Sequence, residues 1–223
     1  MKFLMTLMLM FTLLMPASHG ESTALDPDAF LRNTGVSRWD GSEVAGSIAC
    51  FDVNARGEVA IGLEAAHHQC YVGVIDPDGQ WLYGYSFRSS GSFAVEWADT
   101  DEITIYWVRS SVYGTFDSQA NCLELAEYRD DSAWSQHLRD LQSPERTVNG
   151  TRYVLDTNLG VLSPFATSYS RVLRYADDGQ AVVIANTHGS NIVGALFTLG
   201  IVIFLVIVGI YCYQQHKRGW RAS

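Results

Sequence analysis

Lysine is almost absent from this chain. Among 223 residues it occurs only as Lys2 and Lys217, and from 21 to 190 every basic residue is arginine. That stretch holds all 24 carboxylates against eleven arginines, a formal charge of −13. A surface of that sign repels phosphate backbones, which excludes nucleic acid as a partner class. Catalytic signatures are missing as well. There is no Gly-x-Ser-x-Gly, no His-Glu-x-x-His, no glycine-rich phosphate loop and no Cys set with His and Asn in a known pattern. Cysteine is sparse: Cys50, Cys70 and Cys122 precede the last apolar run and Cys212 lies in it. This excludes a small disulfide scaffold, and the odd count leaves one thiol free or pairing between chains. Cys50 and Cys70 are expected on the first and third strands of a meander, about 9–10 Å apart, too far to bond. All three read as small core residues; Cys212 is an acylation candidate or simply a small apolar residue.

Charge is also missing from Ile192 to Tyr213. A helix of that length spans about 33 Å, enough for a hydrocarbon core of about 30 Å. Lys217, Arg218 and Arg221 follow with no carboxylate beyond, so the positive-inside rule puts the C-terminus in the cytoplasm. The other end reads as a secretory signal over 1–20. Lys2 is the positive region, Phe3 to Met15 the apolar region, and Ser18 and Gly20 precede a cut before Glu21. An uncleaved anchor is the alternative. The expected layout is a lead-in at 21–46, a β-repeat ectodomain at 47–190, a transmembrane helix at 191–213 and a cytoplasmic tail at 214–223. The expected location is the plasma membrane, single-pass and type I.

The ectodomain repeats itself. An apolar residue, an acidic turn and an alternating strand recur from Phe51, Ile75, Trp97, Phe116, Leu155 and Tyr175. Asp and Asn bond back to the turn backbone, and Gly takes the positive φ that reverses the chain. Alternate copies lie about 40–45 residues apart until a common lengthening, which one insertion explains. Residues 130–142 are that insertion: Ala133, Trp134, Leu138 and Leu141 recur at helical spacing, with Asp130, Asp131 or Ser132 as N-cap and Ser143-Pro144 as stop. The expected fold is all-β, about twelve short antiparallel strands in three units. Such a period with four strands per unit resembles a β-propeller blade, as in the broad WD40-like group, without its Gly-His…Trp-Asp signature. Three units leave a closed ring, an open stack and a sandwich as alternatives. Pro27 to Arg32 reads as a short helix.

Individual residues carry little chemistry. His67, His68 and Cys70 lack the second ligand pair of a structural zinc site and read as a loop. Asp76, Asp78, Asp99, Asp101 and Glu102 lack the distal ligand of a calcium loop and read as hairpin turns. Trp81, Tyr83, Tyr85 and Phe87 share one face of a strand on strict alternation. Trp81, Tyr83 and Tyr85 are candidate stacking residues for a sugar or peptide, against a packing role between sheets. Asn149-Gly-Thr151 is a glycosylation sequon and also a favoured hairpin turn, the reading preferred. Gly194 and Thr198 hint weakly at helix dimerisation.

No catalytic, cofactor-binding or metal-ligating residue is assigned, and no cofactor is expected. The first reading is a non-catalytic ectodomain that binds or scaffolds at the outer membrane face, its ligand a protein or carbohydrate. The alternatives are an anchored hydrolase using paired carboxylates, and an accessory subunit, with homo-oligomer or membrane-complex partners.

Overall fold

A computed structural model describes residues 25–219, apart from 43–45, 99–100, 130, 161–162, 164–167, 177–178 and 188–191. The signal segment expected at 1–20 lies outside the described residues. The chain begins with helix α1 (Pro27–Thr34), capped by the Asp26 side chain on the Ala29 N–H and ended by Gly35 in the left-handed region.

Three antiparallel meanders follow. The first sheet contains β2 (Gly46–Val53), β3 (Val59–Ala65), β4 (Gln69–Ile75) and β5 (Trp81–Arg88) in sequential order, with the short β1 (Ser37–Trp39) added beside β5. The second contains β6 (Phe93–Trp97), β7 (Ile103–Trp107), β8 (Val112–Phe116) and β9 (Cys122–Glu127). The third contains β10 (Glu145–Val148), β11 (Thr151–Asp156), β12 (Arg171–Tyr175) and β13 (Ala181–Asn186). Helix α2 (Ser132–Leu141) occupies the expected insertion, with Asp131 as its N-cap.

The first sheet is the middle layer. Cys50, Val72, Val74, Tyr85 and Phe87 pack against Phe93, Val95, Ile103, Ile105 and Trp107 of the second sheet. Its opposite face, with Phe51, Val59, Ile61 and Ile75, packs against Tyr153, Leu155, Val172 and Ile184 of the third. The far face of the second sheet is covered by α2, where Leu138 and Leu141 meet Ala94 and Tyr106. The first strands of the units converge, β2 lying beside both β6 and β10. Face-packed four-stranded units with their first strands gathered inward make a propeller-like arrangement.

Five hairpins end in the same turn, at 54–58, 76–80, 98–102, 117–121 and 176–180. In each, the fourth residue adopts positive φ: Gly57, Gly79, Asp101, Ala120 and Gly179. Asn54, Asp76 and Asp117 each accept from the N–H groups two and four residues on. The Leu155–Gly160 copy is different: it opens the long β11–β12 connection and is not a hairpin turn. Asp52 also departs from the expected turn, since it lies within β2 and Asn54 is the residue that closes the reversal.

Helix α3 runs from Ile192 to Gly219, past the expected anchor boundary at 213. Residues 200–210 are exposed without exception, so this stretch has no buried face. Among the described residues no helix is long and apolar enough to cross a membrane.

Ala120 holds a position at φ 68° that Gly takes in three sister turns. A Cβ there is strained by roughly 1 kcal/mol. Ala120→Gly should therefore raise stability by roughly 0.5–1 kcal/mol in urea titration; a loss of stability would show that the turn is not the one described.

Candidate functional site

Polar side chains gather where the three first strands meet. The Asp52 carboxylate on β2 accepts the Trp97 N–H of β6 at 2.9 Å and faces the Arg146 Nε of β10 at 3.4 Å. The side chains of Asp52 and Arg146 are only 16% and 15% exposed. Burial pushes the Asp52 carboxyl above its usual range, against the opposing pull of the Trp97 and Val53 N–H groups and of Arg146. Arg146 also donates to the Ser143 and Glu145 carbonyls and lies over the Phe51 ring, 5.5 Å from its centre. Glu96, beside this group, accepts from Tyr106 at 2.5 Å and meets His137 of α2 at 3.2 Å. One carboxylate therefore joins three sheets, and the next ties the helix on.

Above this junction a cleft of about 390 Å³ opens between the turn ends of the first and third sheets. Arg56, Asn149, Tyr153 and Arg174 line it. Asn149 donates to the Ala55 carbonyl at 2.8 Å and Arg174 to the Pro77 carbonyl at 2.7 Å. Arg56 pairs with Glu58 and Asp101. The cleft's polar groups thus tie turns together, and the cleft offers binding surface without a nucleophile held beside a base.

The aromatic row does not lie on one face. Ile75 pairs with Trp81 while Val74 pairs with Tyr83, so Leu82 is an extra residue that shifts the alternation. Tyr85 and Phe87 are wholly buried between the first and second sheets, and the Tyr85 hydroxyl donates to the Asp117 carbonyl at 2.8 Å. Tyr83 lies edge-on to Tyr85. Trp81 turns to the opposite face, over Gly73 and Gly84 and against Trp39 at 4.8 Å, and stays 38% exposed. A Cβ at Gly84 would meet its ring at 2.5 Å, which explains glycine there.

The remaining candidates separate. His67 and His68 are exposed on the β3–β4 turn, both at φ 61°, while Cys70 points into the core. Cys50 and Cys70 flank β3 on β2 and β4, unbonded, their thiols pushed up to about 12 by burial. Cys122 is half-buried. Asp76 spends its carboxylate on the Asp78 and Gln80 N–H groups, and Asp101 on Arg56. Asp99 lies outside the described residues. Asn149 and Gly150, at φ 50° and 81°, form the two-residue β10–β11 turn. Gly194 lies within α3, and the Cys212 side chain lies outside the described residues. Sequence reading missed Asp52, Glu96 and Arg146, since only the convergence of distant strands gives them a common place.

No family model matches the sequence, and no curated protein matches it. Among solved structures, a catalytically inactive virginiamycin B lyase from Staphylococcus aureus with quinupristin matches at 13% identity and TM-score 0.28, over 66% of this chain and 44% of that one. A protein of unknown function from Bacteroides caccae matches at 16% identity and TM-score 0.27, over 61% and 48%. The chain thus spans less than half the length of these two structures. Superposition this loose transfers neither fold nor activity.

Arg146→Met removes the cation facing a buried carboxylate. It should cost about 3 kcal/mol near neutral pH. Asp52 has a raised folded pKa, so its contribution to stability is present below the usual carboxylate value and lost as pH rises through the folded one. The penalty of Arg146→Met should therefore shrink as pH falls towards 4, followed by denaturant titration at each pH. An equal penalty at pH 4 and 7 would remove Asp52 from the account.

Proposed function

We propose that the chain is a single-pass type I membrane protein whose β-repeat ectodomain binds or scaffolds at the outer membrane face. The observation that carries this reading is the exit from the third sheet. The Thr187 N–H bonds the Ser170 carbonyl at 2.8 Å, and Ile192 already opens the 28-residue helix α3. A helix apolar on every side finds its favourable surroundings in lipid, and the lysine and arginines at its end favour a cytoplasmic terminus. The anchor then occupies about 191–213, with the last helical residues emerging beyond it.

Support for binding over catalysis comes from how the polar groups are used. Asp76 and Asp117 close their own turns, Asp52 joins sheets, and Asp101 pairs with Arg56. The hydrolase alternative needs two free carboxylates facing one cleft, and the 390 Å³ cleft has none in its lining. The acidic turn end, far from the chain exit, is the face presented to a protein or carbohydrate ligand.

Alkaline carbonate should leave the full chain in the membrane pellet, and the mature N-terminus should begin at Glu21. Protease added outside intact cells should remove the β-domain and spare a C-terminal tag. Release by carbonate, or loss of the tag to external protease, would sink the assignment.

A further inference from the structure

The ectodomain has two electrically different ends. The five acidic turns lie together: Arg56 of the first joins Asp101 of the third, and Asn149 reaches the first turn from the third sheet. The opposite end holds the β3–β4 turn, the C-terminus of β5 and, by the Ile48 to Tyr169 bridge, the segment bonded to Thr187. The chain leaves for α3 from this second end. Here α1 and the edge of the first sheet enclose a polar cleft of about 380 Å³, lined by Arg32, Thr34, Ser37, Gln69, Ser86 and Arg88. Arg88, Asn33 and Thr34 also line a second depression of about 380 Å³, which includes Trp107.

Arg32 and Arg88 are two of the arginines that pair with no carboxylate among the described residues, and they line one cleft together. Arg56, Arg146, Arg152 and Arg171 each pair with a carboxylate. Among the described residues neither Arg32 nor Arg88 does, and Asp28, one turn before Arg32, does not pair with it. Both side chains are exposed. In a stretch of formal charge −13, two unpaired guanidinium groups share one hydroxyl-lined cleft. A guanidinium presents a planar fork of donors that matches two phosphate oxygens; Ser37 of β1 and Ser86 of β5 bond each other at 3.0 Å, and Gln69 donates to the Phe87 carbonyl.

Position selects the source of the phosphate. Five steps of chain from Thr187 to Ile192 reach at most about 18 Å. Arg88 lies three strands from β2, about 14 Å across the sheet. Resting on the anchored reading above, we infer that the Arg32–Arg88 cleft takes the phosphate of a lipid headgroup in the leaflet into which α3 inserts. The acidic turns then point away from the bilayer, and the net negative charge is held off the surface while two cations meet it.

The test uses the full chain in dodecyl maltoside, which carries no phosphate. Dihexanoylphosphatidylglycerol and inorganic phosphate are titrated separately by calorimetry against wild type, the R32Q/R88Q double variant and R56Q at the acidic end. The lipid should bind wild type and R56Q alike and bind R32Q/R88Q about thirtyfold more weakly. Inorganic phosphate should bind wild type far more weakly than the lipid does. Equal lipid affinity for wild type and R32Q/R88Q overturns the site. Inorganic phosphate binding as tightly as the lipid overturns the lipid source. The thermal unfolding of R32Q/R88Q should match wild type, since both side chains are exposed; if it does not, R88Q alone is read in the same titration. Binding in detergent is independent of carbonate extraction, so failure of this site and failure of anchoring give separate results.

Discussion

The fold depends on one buried carboxylate. Asp52 stands where β2, β6 and β10 converge, bonded to the Trp97 backbone and facing Arg146. Hydrophobic contact alone would let three sheets slide over each other, because burial of apolar area is nearly indifferent to register. A charge removed from water is not indifferent: its partners must be in place or the cost is several kcal/mol. Burial raises the Asp52 pKa, so the charged junction works against stability near neutral pH even as it selects one arrangement. Here the pair's contribution is specificity of packing more than strength. Glu96 extends the same logic outward, holding Tyr106 and His137 and so seating α2 on the second sheet.

From that junction the polarity of the domain follows. Each meander rises from the same end, so hairpin turns of the three sheets collect at the other. A turn that needs a side chain accepting from the N–H groups two and four residues on selects Asp or Asn. Repeating that turn gathers carboxylates at one end without any ligand to explain them. The carboxylates of Asp76 and Asp117 are thus products of local turn chemistry, while the turns at 98–102 and 176–180 open on Ala98 and Ala176. At the other end Arg32 sits in the last turn of α1, where a cation suits the helix dipole, while Arg88 ends β5 and closes no turn.

Much of this was legible in the chain. The alternation in Ile103–Trp107 and the Asp76–Gln80 turn are local, and they gave three four-stranded units with a helical insertion capped at Asp131. What failed was whatever depends on a neighbour. The extra residue at Leu82 reverses Trp81 relative to Tyr85, and no periodicity in Trp-Leu-Tyr-Gly-Tyr announces a bulge. Asp52 looks like the start of a turn because Asn54 follows it, and only the approach of β6 and β10 shows that it faces inward. The unpaired arginines are invisible for the same reason, since lack of a partner is a fact about space.

Why three units suffice is answered by layering. A ring closes because every blade has two faces to cover, and few blades leave a poor fit. In this chain the first sheet packs against another sheet on both faces, and its strands read accordingly as apolar runs such as Val59–Leu63 and Val72–Ile75. The second sheet needs one further cover, which α2 supplies with Leu138 and Leu141. The third leaves its outer face to solvent and fills it with long side chains: Arg152 forks onto Glu145 at 2.6 and 2.9 Å and lies over Tyr175, while Arg171 pairs with Asp156. Such pairs add little stability in water, and Val154, Leu173 and Val183 lie in register beside them, Val183 still 48% exposed. The helix thus does on one outer face the work that a further blade would do, while the third sheet meets solvent with ion pairs and a partly exposed apolar edge at Val182 and Val183.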